Sequence, residues 1–181
     1  MDHLSLIKGQ NKMVVKLLWI SAFLSFLNNM ASVRDIKAAV VIIVFIGGVA
    51  MVMSYMVYTN KMIHEVKYLA IAGTYLTVLV FIAFTPGMLS YLTIYIALFI
   101  LGIYQDQKVI AISAVLSLIL STFAFVFYKE MIFHVRYHNL LSLLAFNFFI
   151  LLSCCLLVLQ GQFSAKVYRE LEKTPSNKKI K

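Results

Sequence analysis

The sequence predicts an all-α polytopic membrane protein, a six-helix transmembrane bundle with both termini in the cytoplasm. Three observations carry that expectation. The chain is 62% hydrophobic and only 13% charged, against roughly 45–50% apolar and about 25% charged residues in soluble domains. Its apolar residues gather in six long runs, and ~20 such residues cross ~30 Å of hydrocarbon as a helix. Lys and Arg are divided unequally between alternate connections.

The first span is expected over 14–30, behind Lys8, Lys12 and Lys16. A basic lead before an apolar stretch also describes a signal peptide, but no small-x-small cleavage site follows and five further apolar runs come after it. Arg34, Asp35 and Lys37 lead into a second span over 38–58. The polar connection 59–67 holds Lys61, His64, Glu65 and Lys67. A third span over 68–84 stops at Thr85-Pro86-Gly87, a strong turn signal. The fourth covers 88–104 and the fifth 109–127, with Gln105 to Lys108 between them. Residues 128–139 form the longest outer connection, and the sixth span covers 140–160. Residues 1–13 are left as a cytoplasmic arm, 14–160 as the transmembrane domain and 161–181 as a basic cytoplasmic tail. Strands are excluded because open sheet edges cannot be left in lipid and no run alternates polar with apolar residues as a barrel strand does.

Orientation follows from the cations. The N-terminal arm and its flank carry three Lys or Arg, the second connection two, the fourth one and the tail six; the first carries two, the third none and the fifth two. Twelve against four places both termini in the cytoplasm. The same bias accounts for the net charge of +9, so no nucleic-acid partner is expected; the partner is the lipid bilayer.

All seven acids (Asp2, Asp35, Glu65, Asp106, Glu130, Glu170 and Glu172) map to connections or ends, which argues against an ion-coupled pump. No phosphate-binding glycine loop, nucleophile elbow or HExxH is present, so neither an enzyme nor a cofactor is expected. Adjacent Cys154 and Cys155 are read as packing residues, since neighbouring cysteines rarely bridge. Ser113, Ser117 and Ser121 recur every four residues on the fifth span and predict a helix-packing face, as do Gly47 and Gly48 on the second. Asn147, the deepest polar side chain, is expected to hold helices together.

Glu130, His134 and His138 are also four apart. On a helix they would share one face, able to approach a metal or to sense pH; a solvated interfacial loop is the preferred reading, with no metal. Together with Asn28 and Asn29 at the same boundary they are the candidate ligand-binding contacts.

The stretch Asn11-Lys12-Met13-Val14-Val15-Lys16-Leu17-Leu18-Trp19-Ile20-Ser21 resembles the opening of the six-transmembrane N-terminal sensor module of Gram-positive, Bacillus-type methyl-accepting chemotaxis proteins. That family's pattern is an Asn-Lys pair, an apolar run, then Leu-Trp. The span layout and cytoplasmic exit are also similar, so the resemblance covers about residues 8–173. It implies a bacterial plasma-membrane receptor, a homodimer, and signal output through the sixth helix. Past Gln160, Phe163, Val167 and Leu171 recur every four residues and give that helix an apolar edge suited to a partner helix. The family's methylation helices and kinase-binding tip do not follow, so the expectation is either a sensor module cut from a longer receptor or a stand-alone protein sharing the module. The alternative is a small membrane transporter or accessory membrane subunit for a neutral or apolar solute, though spans one to three and four to six show no convincing repeat. An intramembrane enzyme is a distant third.

Overall fold

A computed structural model describes residues 3–32, 36–60, 62–134 and 137–173. They form six helices and, among the described residues, no strand: α1 (His3–Ser32), α2 (Ile36–Tyr58), α3 (Val66–Phe84), α4 (Met88–Gly102), α5 (Gln107–Ile132) and α6 (Leu140–Lys173). Helices satisfy every interior amide within one segment, which is what hydrocarbon demands.

Among the described residues, four stretches are long and apolar enough to cross a membrane: Val40–Tyr58, Val66–Phe84, Gln107–Ile132 and Leu140–Val167. Helix α4 is shorter. Its 15 residues rise about 22 Å at 1.5 Å each, and the fourth apolar run ends as a turn at Ile103 and Tyr104 rather than as helix. Helix α1 begins at His3, so Lys8, Lys12 and Lys16 stand on helix. Helix α6 continues without a break past Gln160 to Lys173.

The outer surface is apolar. Phe23, Val44, Phe127 and Leu144 are all exposed, a mantle that water would oppose and lipid accepts. The fold is a helical membrane bundle.

Each helix packs on the next in sequence; in addition α3 packs on α5 and α4 on α6. The main core centres on α3, α4, α5 and α6, around Tyr75, Tyr91, Ile94, Leu98, Leu101 and Ile150, and extends to Val14 and Leu18 of α1 and Met53 of α2. Helix α1 is joined chiefly to α2. Two residues of the distinctive opening stretch hold α1 here, one to α2 and one to the connection that follows it. Buried Asn11 donates from Nδ2 to the Ile63 carbonyl at 3.0 Å, and Trp19 donates from Nε1 to Ser54 Oγ at 3.0 Å.

The expected packing role of Gly47 and Gly48 is corrected. A Cβ at either position would meet nothing within 4 Å, so no neighbour needs them small. The close approaches come from Gly73, where a Cβ would lie 2.6 Å from Val49 Cγ1, and Gly102, where it would lie 2.7 Å from Leu157 Cδ2.

Antiparallel neighbours return α6 to the end where α1 starts. Gln10 Nε2 donates to the Tyr104 carbonyl at 3.2 Å, and Gln105 Nε2 donates to Ser164 Oγ at 3.5 Å. This end bears Lys8, Lys12, Lys67, Lys108 and Lys166 and is called the basic end below. The opposite end is closed by the 85–87 turn and the connection after α5.

Candidate functional site

At the opposite end, helix α5 stops at Ile132 and Phe133 is extended, with φ −114° and ψ 144°. Glu130 therefore stands on the last turn of α5 while His134 and His138 lie beyond it. The conditional single face is not formed, because the helix that would align them ends two residues after Glu130. His134 is exposed and its carbonyl accepts from the Tyr137 amide at 2.8 Å. His138 donates from Nε2 to the Phe133 carbonyl at 3.0 Å. Among the described residues no group of three or more His, Cys, Asp or Glu could hold a metal ion. Asn28 and Asn29 lie on α1, but their side chains are outside the described residues.

Ser113, Ser117 and Ser121 are all buried on one face of α5. Tyr75, from α3, donates to the Ser113 carbonyl at 2.7 Å, so its contact of 2.6 Å with Ser117 Oγ has Ser117 as donor. Ser121 donates to Asn147 Oδ1 on α6 at 2.7 Å, so Tyr91 of α4 donates to Ser121 at 2.9 Å. The side chains of Ser117, Ser121 and Asn147 thus join α5 to α3, α4 and α6, while Ser113 contributes only its backbone carbonyl and its buried hydroxyl has no partner among the described residues. The two tyrosines completing these bonds were not legible beforehand; the available signal was a phenol placed within a span instead of at its interfacial ends. Around Tyr91 an aromatic cluster closes the opposite end, with ring centroids 5.0 Å from Phe133 and 5.5 Å from Phe146.

The basic end holds a cleft of about 420 Å³. Its walls are α1 at Leu6, Ile7 and Gln10, His64 in the α2–α3 connection and Lys67 at the start of α3, the α4–α5 turn at Tyr104 to Asp106, and α6 at Gly161 and Ala165. Lys67 Nζ and Asp106 Oδ2 are 2.5 Å apart, with side chains 26% and 28% exposed. Asp106 is also the N-cap of α5, its Oδ1 accepting from the Lys108 amide at 2.9 Å, as a carboxylate before an apolar run does. Burial alone would raise the Asp106 carboxyl, but the Lys67 ammonium and the Lys108 and Val109 amides hold it below its ordinary value. Tyr104 is 6% exposed, and its hydroxyl is buried without a hydrogen-bond partner. Sequence reading did not single out Lys67, Tyr104 or Asp106 for function. Asp106 was visible only as a turn residue, and its pairing with Lys67, 39 positions away, leaves no local trace.

Beyond the cleft Phe163 is 69% exposed and Val167 is also exposed. The Leu171 side chain lies outside the described residues.

Compared with known proteins, the chain matches no family model, no curated protein and no solved structure.

Proposed function

We propose that this protein is a membrane sensor or receptor module of a bacterial plasma membrane, passing a stimulus through α6 to the cytoplasmic side. The observation that supports this most is α6 itself. Its 34 unbroken residues rise about 51 Å, against ~30 Å of hydrocarbon. It is bonded to α5 inside the bundle through Asn147 and meets the α4–α5 turn through Ser164. A single stiff element joined at both levels can carry a change in packing from one end to the other, because packed interfaces switch between discrete arrangements. A stimulus drives that change only by binding the two arrangements unequally. The exposed Phe163 and Val167 offer a partner helix an apolar edge. The resemblance of residues 11–21 and the cation bias point the same way.

A receptor cytoplasmic signalling tail joined after Lys173 tests the reading. Stimulus-dependent kinase output is the expected result, and silence of correctly inserted fusions across a broad stimulus panel overturns it. The transporter or accessory-subunit reading draws less support, since Ser117, Ser121, Tyr75 and Tyr91 use their hydroxyls on one another and on Asn147. Solute flux in proteoliposomes that Asn147→Leu abolishes would favour it instead.

A further inference from the structure

The terminal helices leave a gap at the basic end. Helix α1 packs on α2, and α6 on α5 and α4; no substantial contact joins α1 to α6 among the described residues. The cleft of about 420 Å³ occupies that gap, within the ~300–1,000 Å³ common for ligand sites. Its charges are one cation and one anion, Lys67 and Asp106, side by side. The ammonium has three donors and the carboxylate two oxygens, so each keeps bonding capacity beyond their mutual contact. The walls toward α1 and α6 are apolar, at Ile7 and Ala165.

An occupant with a single charge would satisfy one member of the pair and weaken the hold on the other. A zwitterion suits both, and an apolar body suits the walls. The position of the cleft, between two helices at the end of a membrane bundle, lets such a molecule enter sideways from lipid. We propose that the α1–α6 cleft is a lipid site for an aminoethyl-phosphate headgroup. The phosphate accepts from Lys67, and the primary ammonium donates to Asp106. The acyl chains leave between α1 and α6. A choline headgroup carries no N–H and cannot make the Asp106 bond, so the site distinguishes ethanolamine from choline lipids. The bound lipid joins the two helices that the protein itself leaves apart, a property independent of the sensor reading.

The test uses the full chain in phosphatidylcholine nanodiscs doped with phosphatidylethanolamine, with retained lipid read by native mass spectrometry. Preferential retention of phosphatidylethanolamine is expected. Lys67→Met lowers that retention about tenfold, the loss of a charge-assisted hydrogen bond. Ala165→Phe fills the cleft from an exposed position on α6 and lowers it as far, with helicity by circular dichroism unchanged. Asp106→Asn, which keeps a cap acceptor for α5, erases the preference over choline while lipid binding persists. No ethanolamine preference in the unaltered protein, or full retention by folded Ala165→Phe, overturns the proposal. Displacement of the lipid by an equal concentration of soluble glycerophosphoethanolamine would assign the cleft to free headgroups and overturn its assignment to lipid.

Discussion

Asp106 divides its two oxygens between two tasks: Oδ1 caps α5 and Oδ2 meets Lys67. An N-cap is worth roughly 1 kcal/mol, whereas a partly exposed ion pair adds about 0–1 kcal/mol, so the cap decides. Asp106→Ala is expected to lower unfolding free energy in mixed micelles by about 1 kcal/mol more than Asp106→Asn, which retains a capping oxygen. Because the folded carboxyl titrates below its ordinary 3.8, the charge contribution is complete above that value and is lost as pH falls through the lower folded one. The gap between unaltered protein and Asp106→Asn is therefore flat near neutrality and closes only below pH 3.8; a gap that closes between pH 5 and 7 contradicts the assignment. Ser121 offers a second separation. It bonds both Tyr91 and Asn147, and hydrogen bonds within membranes average about 0.6 kcal/mol with a maximum near 1.7. Ser121→Ala should cost about 1–2 kcal/mol by that scale and Asn147→Leu, which removes one of the bonds and adds apolar surface, should cost less. The reverse order in equilibrium unfolding would mean that Asn147 does more than pack. The serine spacing was legible because a four-residue repeat marks one helix face. Tyr75 and Tyr91 were not, because their partners stand 42 and 30 positions away and no local pattern records such distances.

At the scale of the element, all six helices were legible from hydropathy, and their ends were not, for a physical reason. Hydropathy follows side chains, while helix ends follow backbone bonds. The fourth apolar run continues through Tyr104, but Tyr104 donates its amide to Leu101 and Gln105 donates to Gly102, a tightened turn, and Gln105 takes a positive φ of 50°. Conversely α1, α5 and α6 stay helical through charged residues at Lys8, Lys129 and Lys166, where the apolar signal has already fallen. Glycines show the same division between composition and geometry. Gly47 and Gly48 stand on α2 with room beside them, whereas Gly73 meets Val49 at the α2–α3 crossing. Replacing a helical glycine with alanine gains about 0.8–1.0 kcal/mol in propensity, and forcing a methyl into a packed contact costs typically 1–3 kcal/mol. The clashing atom decides the sign. Val49 Cγ1 sits on a stiff β-branched side chain, whereas Leu157 Cδ2 is the end of a rotatable one. Gly73→Ala is expected to destabilise by about 1 kcal/mol net, and Gly102→Ala to be close to neutral. Thermal unfolding of the two variants in one detergent measures the difference, and equal midpoints would show that the α2–α3 crossing yields as readily as a leucine rotamer.

For the whole molecule, the six helices bring the α1 start and the α6 extension to one end, where Gln10 and Ser164 both bond the α4–α5 turn. Geometry alone makes this arrangement indifferent to which way it faces in a membrane; the cations do not. Cytoplasmic flanks retain Lys and Arg, and by sequence twelve of the sixteen belong to the N-terminal stretch, the second and fourth connections and the tail, of which Lys8, Lys12, Lys67, Lys108 and Lys166 stand at the basic end. The basic end is therefore expected in the cytoplasm. Gln107 and Asn139 are exposed residues at the two opposite ends. With Cys154 and Cys155 replaced by alanine, Gln107→Cys should react with a membrane-impermeant maleimide only after cells are permeabilised. Asn139→Cys should react in intact cells. The opposite pattern would put Phe163 and Val167 outside, depriving α6 of any cytoplasmic partner and removing the sensor reading at its root. It would leave the lipid cleft intact, because Lys67 and Asp106 meet a headgroup layer in either orientation. Labelling of both positions to equal extent from both sides would show a population inserted both ways, meaning that a twelve-to-four bias is too weak to orient a bundle whose first helix carries its three lysines on the helix itself.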